Sequence, residues 1–513
     1  MNGAESLVHS LLRSGVDTCF SNPGTSEMHF VAALDRVPGM RCVLGLFEGV
    51  VTGAADGYAR MAGKPAATLL HCGPGLANGM ANLHNARRAS TPMVNIPGDQ
   101  ATYHRPLDAP LTADTEGWAR GVSGWVRTAT DVRTVGRDTA AAVQAAMVAP
   151  GQIATLILPS DVSWNEGGEI GEKLPPIPTP TAEPKQVEDT ARILRRGGEG
   201  VVLLLGGSAL SAEGLDLAWR IQQATGCRLM AQGSNARMAR GNGRVALDRV
   251  PYVVDVAVKA MAGTKQLILC GSRKPVTFFA YPNKPQTSIP DDAEITILAR
   301  PEQDLLEALQ RLVDTLGCPK VAAPNYGERP QAGSGALSPE SVAATLGALM
   351  PEGAIIADES VTYGRGFFHL TKAAPHHDWL NVTGGAIGGG PPMALGAAIG
   401  APGRRVINMQ ADGSAMYTVQ ALWTQAREKL DVRTVLLSNR KYQILLGELA
   451  NVGANPGRTA LDMMDLGNPD INWCQLANSM GVEAASANTT EGFADLLAHS
   501  LKRSGPFLIE LMI

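Results

Sequence analysis

The chain has 513 residues with 45% hydrophobic and 18% charged side chains, enough to bury several cores, and a net charge of -4. That balance, with no basic tract, argues against nucleic acid as the main partner. No apolar run reaches membrane-spanning length, the start carries no charged-then-apolar leader, and the seven cysteines are scattered without a Cys-x-x-Cys pair. Reduced thiols in a cytoplasmic protein are therefore expected.

The chain opens on an amphipathic helix with Leu7, Val8, Leu11 and Leu12 on one face and Gly15 as its stop. A strand-like Thr18-Cys19-Phe20 runs into the rigid turn Asn22-Pro23-Gly24-Thr25-Ser26-Glu27. Apolar strands follow at Ala66 to Leu70, Met93 to Ile96 and Ile153 to Leu158, each ending in turn residues. The first of these ends on His71-Cys72-Gly73. Two proline-rich polar stretches, 165–184 and 319–339, read as linkers. They divide the chain into blocks at 1–165, 185–320 and 338–513. Strands are expected at Val201 to Leu205, Gln266 to Leu269 and Glu294 to Leu298 in the middle block. In the last block they fall at Ala354 to Ala357, Arg405 to Met409, Val432 to Leu437 and Phe507 to Met512. Short strands apolar on both faces, separated by helical segments, imply three doubly wound parallel-sheet α/β domains.

Two segments carry chemistry. In the last block, one strand ends on Asp412-Gly413-Ser414, which opens a helical pattern through Met416, Val419, Leu422, Trp423 and Ala426. The next strand ends on Ser438-Asn439. A carboxylate and an amide oxygen thus lie at the carboxyl ends of neighbouring parallel strands, where open α/β sheets bind ligands. Two hard oxygens beside a phosphate site suit Mg²⁺. In the first block, Glu48 precedes Gly49, Gly53 and Ala54 at helical spacing, so a carboxyl group sits on a helix that can pack closely. Such a group can share a proton with a ring nitrogen. His71, at a strand end, can shuttle protons near neutral pH. The stretch 383–390 is glycine-rich, and Gly73-x-Gly75-x-x-Asn78 lacks the third glycine of a dinucleotide fingerprint.

Together these segments resemble the thiamine-diphosphate enzymes. Gln410-Ala411-Asp412-Gly413-Ser414 with Ser438-Asn439 is similar to the family's Gly-Asp-Gly-Ser … Asn-Asn motif, with Ala411 and Ser438 as departures that remove no ligand. Glu48 followed by Ala55-Asp56-Gly57-Tyr58-Ala59-Arg60 is similar to its cofactor-activating signature. The resemblance covers nearly the whole chain and is nearest the branch of benzoylformate decarboxylase and acetohydroxyacid synthase. It implies pyrimidine-binding, central and diphosphate-binding domains in that order. It implies Mg²⁺ on Asp412, Asn439 and the Lys441 carbonyl. It implies cofactor contacts from Glu48, Ser360, Val361, Thr362, Gly385, Ile387, Gly413, Ser414 and Tyr442, with Ile387 as the wedge that bends the cofactor. Thr25 and His71 would face substrate.

The implied activity is decarboxylation of a 2-oxo acid, ending in aldehyde release (a lyase) or carboligation (a transferase). The implied assembly is a homodimer or homotetramer whose sites are shared between subunits. The middle-block loop Pro275-Val276-Thr277-Phe278-Phe279-Ala280-Tyr281 has no histidine and suggests an apolar wall. FAD is not expected, since no full Gly-x-Gly-x-x-Gly follows any strand. A nucleotide-dependent (FAD or NAD) oxidoreductase and a non-catalytic relative are the alternatives.

Overall fold

The computed structural model describes residues 1–513 as three sheets, each covered by helices. The first has six parallel strands in the order Arg41–Leu44, Thr18–Asn22, Ala66–Leu70, Met93–Asp99, Ile153–Pro159, Trp125–Thr128. The second has five parallel strands in the order Asp248–Arg249, Arg228–Ala231, Val201–Leu205, Gln266–Cys270, Glu294–Ala299. The third runs Glu483–Ala487, Phe507–Met512, Val432–Ser438, Val406–Ala411, Ala354–Glu359, His377–Asn381, all parallel. A seventh strand, Met238–Arg240, pairs antiparallel with its edge. The stretches 165–183 and 317–338 hold only isolated bridges.

Every expected apolar strand forms. The central ones, such as Ala66–Leu70 and Val201–Leu205, are buried at every position. The additional strands mix polar with apolar residues: Arg41–Leu44, Trp125–Thr128 and Glu483–Ala487 are only partly buried. The helical pattern after Asp412 does not form one helix. It breaks into Asp412–Ala415 and Ala421–Arg427. In the gap, the Thr418 hydroxyl donates to the Gly388 carbonyl at 2.7 Å, a tertiary contact that a continuous helix would turn elsewhere.

The first and third sheets are joined by two helices in backbone contact, Glu48–Ala62 and Gly390–Gly400. A Cβ on Gly57 would lie 2.0 Å from the Met393 carbonyl oxygen, and one on Gly396 would lie 1.8 Å from that of Ala54. Beside this contact, Asp56 and Arg60 form a buried ion pair at 2.6 Å. Arg60 also donates to the Asn381 carbonyl at 2.7 Å. The Ala-Asp-Gly-Tyr-Ala-Arg signature is thus in part a docking device that fixes the strand leading into the glycine-rich loop.

Candidate functional site

The amino-terminal half of the site stands on two helix starts. Glu48 is the first residue of its helix and is buried; Asn78 Nδ2 donates to its Oε2 at 3.0 Å. Gly75 leaves room for the carboxylate, because a Cβ there would come within 2.9 Å of Glu48 Oε1. His71 immediately precedes the helix Cys72–Ala89, and Cys72 takes a left-handed φ of 52°. His71 Nδ1 lies 2.9 Å from Glu27 Oε2, and Glu27 is only 1% exposed. The same carboxylate accepts the Gly24 amide at 2.8 Å and the Ser26 hydroxyl. Gly24 is required here, since its Cβ would fall 2.2 Å from the imidazole ring. With Nδ1 donating to Glu27, the neutral ring keeps its acceptor at Nε2. Thr25 opens the short 3-10 turn Thr25–Glu27 and is exposed.

Ser26, Glu27 and Asn78 were not singled out in the sequence. Their signal was polarity at positions next to a rigid turn and on a buried helix face. Cys72 lies 3.0 Å from the Ser26 hydroxyl, and burial pushes its thiol up to about 11, so it stays protonated.

The carboxy-terminal half is a cleft lined by Ser360, Val361, Thr362, Ile387, Asp412, Gly413, Ser414, Asn439, Lys441 and Tyr442 among others. Val406–Ala411 and Val432–Ser438 pair in parallel with Ala411 opposite Leu437, which brings Asp412 and Asn439 to adjacent strand ends. Asp412 accepts the Gly413 amide at 2.8 Å and the Arg440 amide at 2.6 Å, bridging the two ends. Burial raises its carboxyl pKa, and those amides oppose the shift. Asn439 Oδ1 accepts the Lys441 amide at 3.0 Å. Tyr442 covers Gly413, where a Cβ would lie 2.5 Å from the ring. Val361 and Arg440 have φ of 50° and 55°. Left-handed backbone at a β-branched residue is strain of the kind held at binding loops.

The glycine-rich loop 383–390 forms the roof. Glu359, buried, accepts the amides of Gly388, Gly389 and Gly390 at 2.7, 3.3 and 2.9 Å, and Gln410 Nε2 at 2.9 Å. Burial is the largest influence on Glu359 and raises its carboxyl pKa against those four donors. From the first block, Asn85 brackets Ala386 with bonds of 2.8 and 3.2 Å, and Asn82 donates to Gly49 and Gly388 carbonyls at 2.8 and 3.4 Å. Gly385, at φ 78°, faces the Phe278 ring. The expected apolar wall is therefore in contact with the loop, but it is not wholly apolar: Tyr252 in the same cluster donates to Glu448 at 3.2 Å.

The donor set suits a thiamine diphosphate. Thr362 Oγ1 and Tyr363 OH are buried without a hydrogen-bond partner, beside the strained Val361 backbone and two strand-end oxygens. A diphosphate and a hard cation would satisfy such groups. Within one chain the cleft is lined only from residue 360 onward, so Glu48, Thr25 and His71 stand outside it.

Residues 1–118 match the model of the thiamine pyrophosphate enzyme N-terminal TPP binding domain, and residues 362–511 that of the C-terminal TPP binding domain. The Mycobacterium tuberculosis protein IlvX, which carries a provisional acetolactate synthase large-subunit label, is 49% identical, covering 100% of this chain and 99% of its own. Benzoylformate decarboxylase of Pseudomonas aeruginosa is 28% identical across 98% of this chain and 97% of its own. The 4-hydroxybenzoylformate decarboxylase structure from Rhodococcus jostii RHA1 has a TM-score of 0.85 at 24% identity, covering 100% of this chain and 99% of that one, a likeness in fold. No helix is long and apolar enough to cross a membrane. The chain belongs to the thiamine-pyrophosphate-dependent enzymes, in the branch that holds acetolactate synthases and benzoylformate decarboxylases.

Proposed function

We propose that this enzyme decarboxylates a 2-oxo acid and either releases the aldehyde or joins the acyl fragment to a second carbonyl compound. Thiamine diphosphate, when bound, supplies carbanion stabilisation. The observation that carries the reading is the convergence of Asp412 and Asn439 at adjacent strand ends with Ile387 and the 360–362 turn in one cleft. Asp412, Asn439 and the Lys441 carbonyl would hold Mg²⁺, while Ser360, Thr362, Gly413 and Ser414 receive the diphosphate and Tyr442 closes over it. Glu359 fixes the glycine-rich loop so that Gly385 and Ile387 meet the pyrimidine. Glu48, buried and held by Asn78, exchanges a proton with a pyrimidine nitrogen. His71, fixed by Glu27, moves a proton at Nε2 near the carbonyl under reaction, with Thr25 beside it.

Since these acid–base groups lie outside the chain's own cleft, a second copy is the natural source of them. A homodimer, or a tetramer built of two, follows with each site shared between subunits. The blocks 1–165, 185–320 and 338–513 then serve as pyrimidine-binding, central and diphosphate-binding domains. The seven free cysteines fit a reducing cytoplasm.

Incubation with thiamine diphosphate, Mg²⁺ and a panel of 2-oxo acids, with products identified by mass spectrometry, should give CO₂ and an aldehyde or a hydroxyketone from at least one of them. No product from any would sink the reading. Full turnover in Glu48→Gln would remove Glu48 from its role.

A further inference from the structure

A second cavity, of about 640 Å³, lies at the amino ends of the third sheet's strands, the opposite end from the cleft, and all three blocks line it. Its polar lining is rich in arginine. Arg237 holds Asp378 with Nε and Nη2 at 2.8 and 3.1 Å, and Arg404 Nη2 donates to the same carboxylate at 2.7 Å. Arg244 pairs with no carboxylate. Its hydrogen bonds, at 3.1 and 3.3 Å, run from Nη1 to the carbonyls of Arg240 and His377, which leaves Nε and Nη2 open. Arg404 Nη1 is open as well, its Nε being taken by the Gly353 carbonyl at 2.6 Å. The other carboxylate of the cavity, Glu352, accepts the His376 amide at 3.2 Å. Three guanidiniums thus meet two carboxylates, one of which is shared by two of the three. Burial lowers the Arg244 pKa; Asp378 and Glu352 oppose the shift, and Arg404 and Arg237 add to it. The guanidinium still carries its charge at neutral pH.

The same cavity takes in the start of the helix Ala212–Thr225. Ser211 caps the Gly214 amide at 3.2 Å, and the Ala212 amide has no partner. Leu210, Ala236, Ala239 and Pro150 make an apolar wall. The crevice in which an open α/β sheet takes a nucleotide lies elsewhere, at the switch point between Val201–Leu205 and Gln266–Cys270. Main chain closes it: the Gly206 amide donates to the Cys270 carbonyl at 2.9 Å, and a Cβ on Gly206 would fall 2.5 Å from the Gly271 carbonyl oxygen. Open donors from two guanidiniums and an amide suit the three oxygens of a phosphate better than the two of a carboxylate. We propose that this cavity binds a phosphate ester of a small organic molecule, with the phosphate on Arg244, Arg404 and the Ala212 amide and the organic part on the apolar wall. Bound there, the ester braces two elements that lead to the chemistry. Arg237 donates to the Arg60 carbonyl at 3.4 Å, near the end of the helix that Glu48 begins, and the strand of Asp378 runs into the glycine-rich loop.

The test is calorimetric titration of the holoenzyme with phenyl phosphate and with inorganic phosphate. Saturation with thiamine diphosphate and Mg²⁺ keeps both probes out of the cleft. Phenyl phosphate should bind once per chain, more tightly than inorganic phosphate, and should raise the melting temperature, because it joins three blocks of the folded chain. Arg244→Gln should weaken it about ten- to a hundredfold, the range of a hydrogen bond to a charged group, and abolish the rise in melting temperature. No saturable binding to the wild type at millimolar concentration, inorganic phosphate as tight as the ester, or unchanged affinity in Arg244→Gln overturns the proposal. If Arg244→Gln does not fold, Ala212→Pro decides. Proline is tolerated at the first position of a helix and removes only the amide donor, so the ester should bind about two- to tenfold more weakly; unchanged affinity overturns the site.

Discussion

Around Glu48 and His71 the polar geometry is made by side chains holding side chains: Asn78 on Glu48, Glu27 on His71. Around Asp412 and Asn439 it is made by main chain, with amides of 413 and 440 on one carboxylate and amides of 388 to 390 on another. The contrast fits the tasks proposed for the two halves. Proton transfer needs titratable groups in fixed orientation. A diphosphate with its metal needs a field of amides and oxygens, which strained loops and glycines supply. The first half should therefore break through single side-chain changes that leave binding intact, and the second through changes that abolish binding.

The largest effect is expected where the halves are joined. Arg60→Ala leaves Asp56 buried without its partner and should cost about 3–5 kcal/mol in chemical denaturation; a loss under about 1 kcal/mol would show that the joint is held by helix contact alone. Next, Asp412→Ala should abolish the Mg²⁺-dependent part of thiamine diphosphate binding in calorimetry, and unchanged affinity would remove the metal from this cleft. Glu27→Gln frees the His71 ring and should lower kcat about ten- to a hundredfold, or roughly 1.4–2.7 kcal/mol of barrier, with cofactor affinity retained. A parallel loss of cofactor affinity would blur the division between the halves.

The smallest effect is a pH dependence at the edge of the third sheet. His377 is buried with Nε2 unpartnered, and burial, assisted by Arg240, holds its pKa down to about 3 against an ordinary 6.5. The folded state keeps this ring neutral while the unfolded chain binds a proton, so its stabilising contribution is present above pH 6.5 and is lost as pH falls toward 3. Lowering the pH by one unit from 6.5 should cost roughly 1 kcal/mol through this group, and His377→Phe should flatten that part of the denaturation profile.

Much of this was legible because buried parallel strands are continuous apolar runs. Ala66–Leu70, Val201–Leu205 and Phe507–Met512 form where the pattern places them. The strands that were not visible, such as His377–Asn381, carry His, Asp and Asn whose partners lie far along the chain: Asp378 binds Arg237 and Arg404. The motif residues Asp412, Gly413, Ser414, Asn439, Lys441 and Tyr442 share one cleft, because the strands that end on them pair side by side. Glu27 and Glu359 were hidden because a carboxylate reads as surface unless its donors are known, and those donors are backbone amides and an imidazole set by tertiary structure. Met416 to Ala426 has helical spacing yet breaks, because the Thr418 contact with Gly388 outweighs local propensity.

The helix pair Glu48–Ala62 and Gly390–Gly400 meets main chain to main chain, with no atom to spare at Gly57 or Gly396. Neither partner can gain even a methyl group unless the other retreats. Chimaeras between this protein and its relatives should therefore stay active only when both helices come from the same parent. A crossover placed between residues 62 and 390 would separate them, and the two stretches are expected to be inherited as a unit although the whole middle of the gene lies between.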